Sequence, residues 1–438
     1  MAIQDGRHRQ TPELKSPHRG NSNLVFHYAW IITPVTMLAL LASAGIRTTP
    51  QVLILPLETE FGWTRADVSF AAALSILWYG LGGPVGGSLV DRFGVRRVMA
   101  MGLGLIAMGL VAMLKLNALW QLHLFWGLII GIGTGMVANV LGATVAQRWF
   151  VKNRGLVLGI FGAASAAGQL VFLPAMVSLN AAQGWRGALT VAAVIVAVLV
   201  VPVLLLMREH PADVHQRPFG DQVIATGRGE ERDSRRTPLR QAIRTRDYWL
   251  LAGSFFICGY TTNGLIGTHL LPHAVEHGFT AQAAGEAIAL MGALNVIGSL
   301  ASGWLSDRVD SRWLLAVYYG LRACSIALLP FVQDLSGLLL FAVFYGIDWV
   351  ATVPPTINLT AQRFGRASVG VLYGWIFFTH MLGAALAAFL GGVLRDALGD
   401  YTIAFFSAAI LAFVAVGLSI RVGRMPAAAV SAAASTGD

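Results

Sequence analysis

The sequence predicts an all-α polytopic membrane protein whose twelve transmembrane helices form two pseudo-symmetric six-helix bundles. Composition and repetition both point to this fold class. Of the 438 residues, 56% are hydrophobic and 12% are charged, whereas an ordinary soluble domain carries about 25% charged residues. The deficit of charge extends along the whole chain, and the second half of the chain repeats motifs of the first.

Twelve apolar runs approach the length of about 20 residues that a helix needs to cross a bilayer. We predict spans 1 to 12 at residues 28–57, 66–90, 98–116, 119–147, 155–179, 187–207, 247–273, 283–305, 313–333, 335–361, 367–393 and 401–420. They divide the chain into an N-terminal tail (1–26), a first bundle (27–207), a central linker (208–246), a second bundle (247–421) and a C-terminal tail (422–438). The N-terminal tail lacks the apolar core and cleavage site of a secretory signal, so we expect no cleaved leader.

The basic residues indicate the orientation. With the N-terminus in the cytoplasm, all but six of the 31 lysines and arginines lie on the cytoplasmic side; the exceptions are Arg47 and Arg322 within spans, and Arg65, Lys115, Arg186 and Arg395 in outer loops. Membrane proteins keep their positive loops inside. We therefore predict that both termini are cytoplasmic. The net charge of +9 then belongs to loops at the membrane surface, and we expect no nucleic-acid partner.

An internal repeat relates the two bundles. The segment "PLETEFGWT" at 56–64 matches "PHAVEHGFT" at 272–280, and "GSLVDR" at 87–92 matches "GWLSDR" at 303–308. The segments "AQRWF" and "GLVLGIFGAASAAG" match "AQRFG" and "GVLYGWIFFTHMLG" at the same offset of 215 or 216 residues. A duplicated six-helix unit is the usual basis of alternating access around a site at the bilayer midplane.

The loop after span 2 carries the most specific motif, "GGSLVDRFGVRRV". Its order Gly-x-x-x-Asp-Arg-x-Gly-x-Arg-Arg, repeated weakly as "GWLSDRVDSR" after span 8, resembles the cytoplasmic loop signature of the major facilitator superfamily. The resemblance covers the whole chain and implies the major facilitator fold. It also implies a cytoplasmic gate that does not touch substrate, formed by Gly87, Asp91, Arg92, Gly94, Arg96, Arg97, Asp307 and Arg308. The simpler alternative is a generic positive loop.

Three further segments, "HYAWIIT", "LETEFGWTRADVSFAAAL" and "YGWIFFTHMLGAALAAFLGG", resemble the bacterial branch of monocarboxylate porters and oxalate–formate antiporters. This implies a secondary transporter of the bacterial inner membrane that moves a small, monocarboxylate-like organic anion with protons. Members of that branch often carry an arginine in span 8, where this chain has Ser299. The departure favours an alternative substrate class: an aromatic acid, a heterocyclic vitamin such as a flavin, or a drug-like compound.

Ionisable groups within spans are functional candidates because their burial is costly. In the resembled fold, spans 1, 4, 7 and 10 line the cavity, and Arg47 falls in the outer part of span 1. A guanidinium binds carboxylates in a bidentate way, so Arg47 is a candidate for the substrate site. The alternatives are an outer gate ion pair and snorkelling to the headgroups.

Asp348 in span 10 and Arg322 in span 9 fall at similar depths, so we predict a buried ion pair between them. Such a pair can be purely structural, or Asp348 can take up and release the coupling proton. Histidine side chains in general titrate near neutral pH, so His380 in span 11 is a candidate for proton coupling or substrate binding, with an ordinary buried histidine as the alternative. The adjacent prolines Pro354 and Pro355 should bend span 10.

Neutral hydrogen-bonding groups on the predicted cavity helices complete the candidate pocket, although each of them has a purely structural alternative: Thr134, Asn139, Tyr260 and Asn263. The two cysteines have no companions at metal-ligand spacing, and we expect no metal and no cofactor. No nucleotide-binding loop or nucleophile–base motif is present, so we do not expect an enzyme. The expected partners are a small organic substrate, protons and the lipid bilayer, with the monomer as the functional unit.

Overall fold

The structure is a computed structural model that describes residues 27–220, 237–365 and 368–423, apart from the side-chain surroundings of a few residues that include Gly87, Asp91 and Asn139. The described chain is almost wholly helical. Ten of its helices are long and apolar enough to cross a membrane, and one of these, Leu156–Leu206, is long enough for two crossings.

The helices of the first bundle fall where the apolar runs predict them. Their bounds are Ala29–Thr48 and Pro50–Phe61 (span 1), Arg65–Phe93 (span 2), Val95–Met113 (span 3), Leu119–Leu122, His123–Ile130, Gly131–Met136 and Asn139–Trp149 (span 4), and Arg154–Leu206 (spans 5 and 6). Spans 5 and 6 divide at Gly184, whose φ of 71° lies in the left-handed region that favours glycine.

The second bundle has the same order of helices. Their bounds are Arg246–Gly259, Tyr260–Ile266 and Gly267–Glu276 (span 7), Ala281–Ser306 (span 8), Ser311–Leu328 and Leu329–Phe331 (span 9), Leu335–Asp348 and Val353–Phe364 (span 10), Val369–Leu398 (span 11) and Thr402–Ile420 (span 12). The linker contains two short helices, Pro211–Val214 and Leu239–Ala242.

Three spans are interrupted near their middle. Spans 4 and 7 pass through π-helical turns at His123–Ile130 and Tyr260–Ile266. Span 10 breaks after Asp348, and the next helix begins at Val353 with its two prolines in the first turn, where a missing N–H costs nothing. Interrupted helices free backbone groups and often border functional sites in membrane proteins.

Glycines bring equivalent helix pairs of the two bundles into close contact. A Cβ at Gly131 of span 4 would approach the backbone of span 2 to 2.8 Å, and one at Gly346 of span 10 would approach the backbone of span 8 to 2.7 Å. Gly168 and Gly383 occupy equivalent places at the contacts of span 5 with span 1 and span 11 with span 7. Small residues let membrane helices pack backbone to backbone, and here they do so at positions related by the sequence repeat.

The two bundles meet at one end of the molecule and separate toward the other. We call the end with loops 62–64, 277–280 and 399–401 the distal end, and the end with residues 27, 220, 365 and 423 the tail end. At mid-depth, a Cβ at Gly292 of span 8 would lie 3.5 Å from Leu170 of span 5. Three turns nearer the tail end, on the same helix faces, Gly303 and Gly159 have no described atom within 4 Å of that position.

Spans 2 and 11 diverge in the same direction. Near the distal end, a Cβ at Gly392 would approach the backbone of Arg65 to 2.9 Å, whereas Gly374 near the tail end has open space among the described atoms. The space between the bundles therefore widens toward the tail end.

Candidate functional site

A cavity lies between the bundles at mid-depth and encloses about 600 Å³ of empty space, its open mouth included. Spans 1, 2 and 5 of the first bundle and spans 7, 10 and 11 of the second supply its walls, through Arg47, Thr48, Pro50, Gln51, Ala72, Ser75, Ile76, Tyr79, Gln169, Asn263, Gly267, Thr268, Trp349 and Met381.

Arg47 reaches this cavity from the last turn of Ala29–Thr48. Its guanidinium carbon lies 4.1 Å from the centre of the Tyr79 ring, a cation–π contact that holds the head group in place. Its Nε is buried and has no hydrogen-bond partner in the described part of the chain. The guanidinium therefore presents unused donors within the cavity wall.

No aspartate or glutamate is among the described residues that line this cavity. Among the same residues, Arg47 is the single arginine, and there is no lysine. A single fixed positive charge within a wall of amides, hydroxyls, aromatic rings and aliphatic groups favours one negative charge on a ligand. The described part of the cavity wall therefore carries one fixed positive charge and no fixed negative charge.

Asn263 and His380 are joined at the edge of the cavity. Asn263 Nδ2 donates to His380 Nε2 at 3.2 Å, and His380 Nδ1 donates to the carbonyl oxygen of Phe255 at 3.1 Å. A backbone carbonyl oxygen can only accept, so Nδ1 is the donor in the bond to Phe255, and Nε2 is the acceptor in the bond from Asn263. Asn263 lines the cavity, whereas His380 is buried outside its lining, so the hydrogen bond from Asn263 fixes the amide against the histidine.

Arg322 and Asp348 form a buried ion pair in the second bundle. Their side chains are 0% and 3% exposed, and Arg322 Nε lies 2.7 Å from Asp348 Oδ2. Arg322 also donates to the carbonyl oxygens of Asp348 at 2.8 Å and Trp349 at 3.3 Å, and to Cys258 Sγ at 3.0 Å. Asp348 Oδ1 is buried without a hydrogen-bond partner among the described residues.

This pair adjoins the cavity through its neighbours. Trp349, which follows Asp348, is part of the cavity wall. Arg322 Nη1 also lies 3.4 Å from Thr261 Oγ1, in the π-helical turn that contains Asn263. A change in the charge of Asp348 would therefore act on two parts of the cavity wall, directly on Trp349 and, through Arg322, on the π-helical turn of span 7.

The structure does not bring every candidate residue to the cavity. Tyr260 is 6% exposed and packs in the hydrophobic core. Thr134 is fully buried, and its hydroxyl donates to Gly131 O at 3.0 Å within its own helix. Neither of these lines the cavity. Asn139 begins the last helix of span 4, but its side chain is outside the described part of the structure.

The loop motif lies at the tail end, away from the cavity. Gly94 has a φ of 83° and separates span 2 from span 3. Arg92 stacks on Phe93 with 5.3 Å from its guanidinium carbon to the ring centre, and Arg97 is exposed. Arg96 donates to Leu204 O in span 6. The surroundings of Gly87 and the side chain of Asp91 are outside the described part.

In the copy of this motif after span 8, Arg308 donates to Trp304 O at 3.1 Å and stacks on its ring, and Asp307 is exposed. A residue beyond the motif, Glu209 of the linker, accepts hydrogen bonds from the backbone N–H groups of Val95 at 2.6 Å and Arg96 at 3.0 Å. It thereby caps the positive start of span 3.

A polar cluster at the distal end connects the bundles, and it was not predicted from the sequence, in which Arg65 is one of four basic residues in the outer loops. Arg65, 4% exposed, pairs with Glu58 of its own bundle at 2.7 Å and with Glu276 of the second bundle at 2.8 Å. It also donates to the hydroxyl of Tyr401, and its backbone N–H donates to Asp396 Oδ1 at 3.1 Å. Burial raises the pKa of Tyr401, so its hydroxyl stays protonated.

A signal for this cluster was present in the repeat. The acidic residue Glu60 of "PLETEFGWT" corresponds to Glu276 of "PHAVEHGFT". In the first bundle, Glu60 accepts from Trp185 Nε1 at 2.7 Å and pairs with Arg186 at 2.6 Å, both within that bundle. Its counterpart Glu276 pairs with Arg65 of the other bundle. The two equivalent acids therefore differ, because Glu60 pairs within its own bundle and Glu276 pairs between the bundles.

Comparison with known proteins adds family information to this geometry. A family model described as Major Facilitator Superfamily matches residues 35–388. An uncharacterized MFS-type transporter YcxA from Bacillus subtilis is 25% identical, with 85% of this chain and 90% of the relative covered. Monocarboxylate transporter 11 from Mus musculus is 28% identical (90% and 86% covered), and an oxalate:formate antiporter from Oxalobacter formigenes is 23% identical (94% and 96% covered).

Among solved structures, a D-xylose-proton symporter superimposes with a TM-score of 0.70, covering 91% of this chain and 98% of the symporter. The two sequences are 14% identical, so this likeness concerns the fold alone.

Proposed function

The chain belongs to the major facilitator superfamily, and on that premise we propose that this multi-pass membrane transporter carries a small, monocarboxylate-like organic anion together with protons. Transport proceeds by alternating access in the bacterial inner membrane, with both termini in the cytoplasm. The observation that carries the substrate class is Arg47, a guanidinium with unused donors in a cavity whose described walls contain no acid. The names of the monocarboxylate and oxalate:formate relatives agree with this class.

One positive charge in the wall favours a monoanion over a dianion. A dicarboxylate would bring a second charge into a wall whose remaining described groups are neutral, and burying an unpaired charge is costly. Ser299, where the resembled branch has an arginine, makes a hydrogen bond to Asn295 Oδ1 at 3.2 Å and supplies no second cation.

Asp348 is the residue that we assign to the coupling proton. Its Oδ1 has no hydrogen-bond partner among the described residues, so a proton can bind there while Oδ2 keeps its contact with Arg322. His380 is less suited, because both of its ring nitrogens are already in hydrogen bonds. Its role in the proposal is to orient Asn263.

Contact at the distal end and separation at the tail end correspond to an inward-facing state if the tail end is cytoplasmic. A fluorescent protein fused to the C-terminus tests this orientation, since it matures in the bacterial cytoplasm but not after export through the general secretory route.

An alternative substrate class is an aromatic or heterocyclic solute, including aromatic acids, vitamins and drug-like compounds. The rings of Tyr79 and Trp349 in the cavity wall favour it, since aromatic side chains stack on flat ligands.

Uptake into proteoliposomes with an alkaline interior tests both classes. The panel is lactate, pyruvate, oxalate, benzoate and a set of vitamins. We expect gradient-driven accumulation of a monocarboxylate, lost when a protonophore collapses the gradient. Accumulation of vitamins without any carboxylic monoanion would support the alternative, and accumulation that survives the protonophore would reject proton coupling.

A further inference from the structure

The cavity contains an unused acceptor beside the unused donors of Arg47. Resting on the proposed function, we propose that the site selects 2-hydroxy monocarboxylates over the corresponding 2-oxo acids, and that Gln51 is the residue that recognises the hydroxyl group.

Gln51 and Arg47 share one face of span 1. The residue between the two helices of that span, Thr49, has φ −60° and ψ −32°, so the chain stays helical through Pro50. Residues four apart on a helix lie one above the other, with about 5–6 Å between their Cβ atoms. Both residues line the cavity.

The Gln51 side chain is buried with an unsatisfied oxygen. The residue is 2% exposed, and its Oε1 has no hydrogen-bond partner in the described structure. The Nε of Arg47 is in the same condition. A buried polar atom without a partner destabilises the site, and a ligand that supplies the missing partner gains the difference.

A donor and an acceptor one helical turn apart define the chemistry of the ligand. The guanidinium of Arg47 suits a carboxylate, and Gln51 Oε1 suits an O–H group on the neighbouring carbon. A 2-oxo acid offers only acceptors and leaves Gln51 Oε1 unpaired. An amino acid would bring an ammonium group, and the described wall has no carboxylate for it.

Two threonine hydroxyl groups in the wall already donate their protons to backbone carbonyl oxygens. Thr48 Oγ1 donates to Gly45 O at 2.7 Å, and Thr268 Oγ1 donates to Asn263 O at 3.5 Å. The oxygen of Gln51 is distinguished by being a buried wall acceptor without a hydrogen-bond partner among the described residues.

The test uses two sets of matched monoacids that differ only at the second carbon. Lactate, pyruvate and propionate form one set, and mandelate, phenylglyoxylate and phenylacetate form the set with an aromatic group. Binding to the purified full-length protein is measured by calorimetry at pH 7, where all six acids are ionised. We expect the 2-hydroxy member of the set that binds to be about fivefold tighter than the other two, the factor of one neutral hydrogen bond.

Gln51→Met keeps the length of the side chain and removes the amide. In this variant the hydroxy acid should bind only as well as the unsubstituted acid, and Gln51→Leu serves if the first variant is not monodisperse. Gln169→Met makes the same exchange at another amide of the cavity wall, and there the preference for the hydroxy acid should persist.

The outcomes separate this inference from the proposed function. Equal affinities within a set, a preference for the 2-oxo acid, or a preference that survives in the Gln51 variants would overturn the role of Gln51 and leave monocarboxylate transport intact. If none of the six acids binds to the wild-type protein, the proposed substrate class itself is wrong, and the hydroxy-acid preference is lost with it.

Discussion

Arg65 of the first bundle forms a 2.8 Å ion pair with Glu276 of the second while it remains paired with Glu58 of its own bundle. Glu276 in turn keeps Arg395 of its own bundle at 3.0 Å. When the bundles part at the distal end, each charge therefore retains a partner. Separation costs one inter-bundle ion pair without leaving an isolated buried charge, which is the expensive outcome.

Replacing Glu276 should weaken closure of the distal end. We expect Glu276→Gln to shift the equilibrium toward a distal-open state by about 1.5–3 kcal/mol, the value of a hydrogen bond to a charged group. The measurement is the rate at which a membrane-impermeant maleimide, added from the distal side, labels Ser75→Cys in the cavity. The chain without the Ser75 substitution gives the background from the two native cysteines.

Glu60→Gln is the matched control, because Glu60 is the repeat equivalent of Glu276 but pairs only within its own bundle. It should not change the labelling rate of the cavity cysteine. Equal labelling rates in wild type and Glu276→Gln would show that the inter-bundle ion pair does not hold the distal end closed.

Arg47→Gln should weaken binding of an anionic substrate by about 10- to 150-fold, because a charge-assisted hydrogen bond is worth about 1.5–3 kcal/mol. Arg47→Lys should retain part of the affinity, since the charge remains but the bidentate geometry is lost. Calorimetry on the purified variants measures the change. Full affinity in Arg47→Gln would show that Arg47 does not bind the anionic substrate and that its role is the structural contact with Tyr79.

Asp348→Asn should uncouple transport from the proton gradient. The variant cannot release a proton at this position, so we expect exchange of labelled substrate to continue while accumulation driven by an alkaline interior is lost. His380→Gln is the comparison, and it should alter the Michaelis constant more than the coupling because it disturbs Asn263. Undiminished gradient-driven accumulation by Asp348→Asn would contradict the assignment.

The net contribution of the Arg322–Asp348 pair to the free energy of unfolding should be smaller than the destabilisation caused by removing one partner alone. Arg322→Met leaves the carboxylate buried alone and should cost about 3–5 kcal/mol, whereas Arg322→Met with Asp348→Leu should recover most of that loss. Thermal unfolding in detergent, followed by intrinsic tryptophan fluorescence, measures both. A double variant as unstable as the single one would mean that the pair is indispensable to the fold.

The fold class and the family resemblance predicted from the sequence are confirmed, because apolar length, loop charge and the repeat each constrain the same architecture. The positions of individual side chains were harder to predict from the sequence. Depth along a span follows from counting residues, but the face that a residue presents depends on packing. Arg47 and Tyr260 both lie on predicted cavity helices, yet only Arg47 lines the cavity.

Contacts between distant segments were the hardest to foresee. Gln51 drew no attention as a neutral residue near the end of an apolar run, and its significance comes from burial without a partner. The Arg65–Glu276 contact depends on how two bundles dock, and no local pattern in either segment specifies its partner.

Substrate-driven proton entry tests the central claim most directly. Proteoliposomes with a pH-sensitive dye inside receive external lactate or mandelate with no initial gradient, and vesicles carrying Arg47→Gln correct for unassisted diffusion of the protonated acid. The account predicts that wild-type vesicles acidify at least tenfold faster than those with Arg47→Gln, and that Asp348→Asn vesicles resemble the latter. Identical rates in all three preparations would contradict proton-coupled transport of a monocarboxylate anchored by Arg47.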